Sequence, residues 1–191
     1  MPTALLPTQL MTAAAAPLPA IVRAAAAAPL DSPTPCADWD LAALVRHQLY
    51  WAPFLAAAGR RTAATPTAAT EQDVALDDWP AALDAAHADV VAAWTDEAAW
   101  TGTTTMGGPE PMPAPVIGNM VLGELVVHGS DLARAAGTAA HWPDDVLAPI
   151  LEAVREMGPT GRDMGIFGPE VDVPADAPLL DRILAATGRT P

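Results

Sequence analysis

Residues 116–136 read VIGNMVLGELVVHGSDLARAA, and the spacing of their apolar positions decides the fold class. Ile117, Val121, Leu125 and Leu132 fall at helical intervals, which places them on one stripe of an α-helix. Gly137 follows as a C-terminal stop, because glycine adopts the left-handed backbone that closes helices. Two members of the stripe are not apolar. Glu124 and His128 are four residues apart, stacked one turn above the other in the middle of the apolar face. A carboxylate on such a face must be paired or must coordinate a metal, since burying it ionised and alone is expensive.

The same arithmetic applies upstream. Asp38 or Asp40 can cap a helix that runs to about residue 58. On it Leu44, His47, Trp51 and Phe54 share a face, so His47 is expected to point inward. Facing helices of a bundle lie about 8–10 Å apart, close enough for side chains from both to meet around one ion. Spacing alone leaves two readings open. One is a private Glu124–His128 ion pair with His47 satisfied elsewhere; the other is a shared metal ion.

Proline and glycine divide the rest into alanine-rich blocks of helical length. A first helix is expected over residues 8–28, with a frayed start and a kink or split at Pro17 and Pro19. Residues 29–38, with three prolines, read as a loop, and residues 59–78 as a connector. Pro80 suits the first turn of a third helix reaching about residue 99. Residues 101–115 predict a short extended piece followed by a Gly-Pro loop. A fifth helix begins after Pro143 with Asp144 and Asp145 in its first turn and ends at Gly158. The tail is irregular until a short helix over residues 179–186. The expected architecture is all-α: one domain over residues 1–191, a four-helix bundle with an extra C-terminal helix and an irregular tail.

Composition narrows the function. Of the 191 residues, 23 are acidic and 9 basic, a formal net charge of −14, and every basic residue is arginine. That field repels phosphate backbones and anionic lipid, so no nucleic-acid or membrane partner is expected. No run of about 20 apolar residues suggests a membrane span. The single cysteine, Cys36, excludes an internal disulfide and a cysteine-rich metal site. The apolar N-terminus lacks the positive region of a secretion signal, its first basic residue being Arg23, so the cytoplasm is the expected location.

Three further stretches carry a resemblance. Thr34-Pro35-Cys36-Ala37-Asp38-Trp39-Asp40 followed by Leu44-Val45-Arg46-His47 is similar to the opening motif of the mycothiol-dependent maleylpyruvate isomerase N-terminal domain family. This actinobacterial family belongs to the DinB-like superfamily of metal-binding bundles. The run from Glu124 to Ala133 matches its pattern of Glu, three residues, His, a small residue and Asp-Leu-Ala. Phe167-Gly168-Pro169 and Leu184-Ala185-Ala186-Thr187-Gly188-Arg189 match its tail. Ser130 departs from the family's usual aromatic, and the chain is too short to hold in full the further C-terminal domain of the isomerase itself.

The resemblance implies a divalent metal, commonly zinc, held by His47, Glu124 and His128; nickel and iron are the alternatives. Two histidines and one carboxylate leave a coordination position open, the mark of a catalytic site. The family implies that mycothiol, a low-molecular-weight thiol, is the cosubstrate, with a small-molecule electrophile as its partner. The leading expectation is therefore a metal-dependent S-transferase or isomerase. The competing ones are a thiol-independent tailoring enzyme (lyase, ring-opening or cyclisation), an iron oxygenase suggested by the donor set, and a non-catalytic metal-binding or homodimeric interaction protein. Asp131 is the catalytic-site candidate beyond the ligands, either orienting His128 or pairing with Arg134. Trp51 and Asn119 are candidates for cofactor contacts, and Tyr50 is a weaker one. His87 is read as a core residue, Cys36 as a buried packing thiol and His141 as exposed.

Overall fold

The computed structural model describes residues 5–36 and 38–191. Residues 1–4, part of the expected frayed start, and Ala37 of the opening motif lie outside the described residues. The elements are α1 (Pro7–Ala15), α2 (Leu18–Ala25), α3 (Leu41–Arg60), α4 (Trp79–Trp94), α5 (Ala114–Ala135), α6 (Asp144–Asp163) and α7 (Leu179–Ala186). The only sheet among the described residues is a two-residue antiparallel ribbon, β1 (Thr103–Thr104) against β2 (Met112–Pro113). The all-α expectation holds. Among the described residues no helix is long and apolar enough to cross a membrane.

The kink expected near Pro17 is a complete break. Pro17 has no N–H to donate and starts α2 instead, so the first helical arm is two short helices. The Ala14 carbonyl near the break is taken by the Trp142 indole N–H at 2.7 Å, which ties the arm to the segment before α6. Both pieces pack their apolar faces, Leu10, Met11 and Ala14, then Leu18, Ile21, Val22 and Ala25, onto α4 and α5.

Asp40, rather than Asp38, caps α3: its carboxylate accepts the Ala43 N–H at 2.8 Å. Pro53 lies inside that helix and removes the N–H that would reach the Leu49 carbonyl. Thr67 of the connector donates its hydroxyl to that carbonyl at 3.5 Å. Helix α4 stops at Trp94, five residues short of expectation. Asp96 accepts the Ala98 N–H and starts a separate 3-10 turn, Glu97–Trp100. Its Trp100 ring presses on Gly118 of α5, where any larger residue would clash. Helix α5 begins two residues earlier than the apolar stripe suggested. Helix α6 continues past Gly158 and through Pro159 to Asp163. The carbonyl that Pro159 leaves without its helical donor belongs to Arg155, an exposed residue.

Four walls, formed by the α1–α2 arm, α3, α4 and α5, enclose one apolar core. Helices α6 and α7 pack against each other, and α6 closes on α5. Leu41, Leu44, Leu83, Trp94, Ile117, Leu122 and Leu132 are fully buried there. Within this packed frame α3 and α5 set their polar residues face to face.

Candidate metal centre

His47 enters from α3, and Glu124 and His128 from α5. The carboxylate stands between the two imidazoles: Glu124 Oε2 is 3.7 Å from His47 Nε2 and 3.3 Å from His128 Nε2. One donor atom from each of the three lies within 4.8 Å of the others. The imidazole centroids are 5.1 Å apart. Trp39 lies over both, 4.6 Å from the His47 ring and 5.9 Å from that of His128. The cluster sits deep in the bundle but is not sealed, because 34% of the Glu124 side chain is accessible.

Burial opposes a charge on Glu124. The facing His128 charge and hydrogen bonds from both imidazoles outweigh it and hold the carboxyl well below the usual range. Burial likewise opposes a proton on His128, but the Glu124 charge and hydrogen bonds to Asp131, Cys36 and Glu124 raise its pKa well above the ordinary value. The arrangement therefore concentrates negative charge between two nitrogens, which suits a cation, whether a proton or a metal.

The back of His128 is fixed from the interior. Its Nδ1 is 3.0 Å from Asp131 Oδ2. Asp131 has no solvent exposure and is gripped by Arg189, whose Nε donates to Oδ1 at 2.9 Å and whose Nη2 donates to Oδ2 at 2.8 Å. Burial works against the Asp131 charge, yet hydrogen bonds from His128 and Arg189 keep its pKa below normal. Of the two roles open to Asp131, the structure assigns the contact to His128. Arg134 donates instead to the Thr190 carbonyl. Cys36 is half-buried rather than buried and joins this network, accepting from Arg189 Nη2 at 3.0 Å and donating to Asp131 at 3.5 Å. Cys36, His128 and Asp131 thus form a second close group of donors. In this group the carboxylate is already engaged by Arg189.

Trp51 is beside the centre, its ring 6.4 Å from that of His47. Its indole N–H donates to Glu71 at 2.8 Å, and the other Glu71 oxygen is 3.4 Å from His47 Nδ1. Tyr50 packs on Trp51 and Phe54. Asn119 is half-buried and sits five residues before Glu124, about 140° round the helix, so it is not directed to the same side. His87 is a core residue, bound to Gln48 at 3.0 Å. His141 is exposed. Trp39 and Arg189 stood inside the quoted motifs without a role assigned. Glu71 had no signal in the sequence, because an acid in a polar connector reads as solvated surface.

The profile described as the mycothiol maleylpyruvate isomerase N-terminal domain matches residues 11–133, which include all three donors. The chain belongs to this family. No protein of curated description matches the sequence. Two crystal structures of the mycothiol-dependent maleylpyruvate isomerase, one of them a histidine-to-alanine mutant, superpose with TM-scores of 0.66 for the mutant and 0.63 for the other. Each is 18% identical and covers 99% of this chain and 92% of the solved one. At that identity the likeness speaks to the fold, which is all-α and DinB-like. The structural match runs beyond the N-terminal domain, as the resemblance of the tail suggested, and leaves part of the solved chain uncovered. The family's N-terminal domain therefore continues, in this member, into a tail that delivers Arg189 to the back of the cluster.

Proposed function

We propose that His47, Glu124 and His128 hold one divalent metal ion, zinc before nickel or iron, and that the protein is an enzyme using a mycothiol-type thiol on a small electrophile. The observation that carries this reading is the separation of the donors. Tetrahedral zinc with bonds of about 2.0–2.2 Å sets its ligand atoms about 3.4 Å apart. The two donor separations across Glu124 are 3.3 and 3.7 Å. Three donors leave the fourth position for a reactant. With the cation bound, the site favours a thiolate over a thiol and keeps its sulfur beside the electrophile.

The protein's own groups have definite tasks in this scheme. Asp131 accepts the proton on His128 Nδ1 and so turns the Nε2 lone pair toward the cluster. Trp39 covers both imidazoles and keeps water from their faces. The accessible edge of Glu124 marks the side from which reactants enter. Maleylpyruvate, named in the family's description, is the first electrophile to assay; S-transfer to a bimane or an epoxide is the second. The lone cysteine fits a reducing cytoplasmic setting, and a homodimer belongs to the same proposal.

Elemental analysis of the purified protein and of His47→Ala tests the centre. Near-stoichiometric zinc that is absent from the variant is expected. Mycothiol with each electrophile then tests the chemistry. A metal-loaded protein that neither binds the thiol nor forms product would leave the centre but remove the transferase or isomerase assignment.

A further inference from the structure

Glu71 lies on a single 3-10 turn, Glu71–Asp73, in the stretch between α3 and α4. Its two oxygens have separate partners. Oε1 accepts the Trp51 indole N–H at 2.8 Å, and Oε2 faces His47 Nδ1 at 3.4 Å. The chain around it is fastened to α3 on both sides. Thr67 donates to the Leu49 carbonyl at 3.5 Å, and Arg46 Nε donates to the Val74 carbonyl at 3.2 Å. Thr70 and Asp73 close the turn with a hydrogen bond of 2.8 Å. This carboxylate is therefore placed by the fold and is not a free surface acid.

The opposite side of the centre repeats the arrangement. His128 turns Nε2 to Glu124 and Nδ1 to Asp131. His47 turns Nε2 to Glu124 and Nδ1 to Glu71. A ligating imidazole coordinates through one nitrogen and carries its proton on the other. A carboxylate accepting that proton fixes the tautomer and the ring plane and strengthens the donor. We propose that Glu71 is the positioning residue of His47, so that the connector over residues 67–74 sets how tightly the metal is held. The inference rests on the metal reading above. Glu71 faces the far nitrogen of the ring, so it is not a fourth donor to the same ion. Trp51 acts one step further back: it holds Glu71, and Glu71 holds His47.

The test uses the full chain, stripped of metal and titrated with zinc against a chromogenic chelator at fixed pH. Glu71→Gln keeps the size of the side chain and an acceptor for Trp51, but it presents an amide where a carboxylate took the imidazole proton. Its zinc affinity is expected to fall roughly 10–100-fold, the range for losing an outer carboxylate of a ligand histidine. The thermal transition of its metal-free form stays near that of the parent. Trp51→Phe leaves the carboxylate and frees it, so a smaller weakening is expected, and cobalt spectra of both variants should differ from the parental spectrum. Parental affinity in Glu71→Gln, with or without a loss of metal-free stability, overturns the inference, since Glu71 would then only staple the connector. A parent that takes up no zinc overturns the metal reading itself, and this inference with it.

Discussion

The two histidines of the centre meet one carboxylate from opposite walls, yet their backing differs. Behind His128 everything is interior. Asp131 is fully buried, and Arg189, 58 residues further along the chain, holds both of its oxygens. Behind His47 the partner is Glu71, 30% exposed, held by one indole N–H on a short turn. The hydrogen-bonding logic is the same, but the energetic setting is not. On the α5 side, orientation of His128 is coupled to folding, because a desolvated ion pair cannot lose one member without stranding the other. On the α3 side the same task is done near solvent, where breaking the contact exposes the group to water. The accessible edge of Glu124 lies between the two walls.

The contrast can be broken most forcefully at Arg189. Arg189→Ala leaves the Asp131 carboxylate buried without its main partner, and a loss of about 3–5 kcal/mol of folding stability is expected. Urea unfolding measures it; a loss under about 1 kcal/mol would mean that water reaches Asp131 and that the α5 side is not the firm one.

Acid sharpens the comparison from a third position. His87, buried on α4 and bound to Gln48 of α3, has its pKa lowered to about 4 by burial first and by the His128 charge second. The unfolded chain protonates this histidine near its ordinary value of 6.5, before the folded chain does. Its contribution is therefore complete above about pH 6.5 and is lost as the pH falls toward about 4, some 3 kcal/mol at most. His128, whose pKa is raised by the Glu124 charge and its hydrogen bonds, behaves in the opposite sense. Unfolding at pH 7, 5.5 and 4.5 in the parent and in His87→Gln isolates the term. Equal slopes for the two proteins would show that His87 protonates in place.

The smallest effect is expected at Glu71. Replacing a partly exposed acid with Gln should change the unfolding free energy of the metal-free protein by about 1 kcal/mol or less. A loss as large as that of Arg189→Ala would erase the difference between the two walls.

Much of this was legible in the chain. The stripe of α5 gave its length to within two residues at its start, and its two polar interruptions named Glu124 and His128. The apolar face of α3 named His47. Element ends were less legible: Asp96 ended α4 early by starting its own turn, and α6 ran on through Pro159 to Asp163. Gly161 lets Phe167 pack against the last turn of α6, a contact that no local rule foretells.

Local pattern determined which residues point inward, since helical periodicity is a property of the chain alone, and a carboxylate on an apolar stripe announces a partner. It did not determine which partners. The spacing left Asp131 between His128 and Arg134, and only packing of the tail against α5 brought Arg189 to it. Glu71 owes its role wholly to the path of the connector over α3. Contacts between residues 24 or 58 positions apart have no period to read, because they depend on where whole helices and loops come to rest once the core closes.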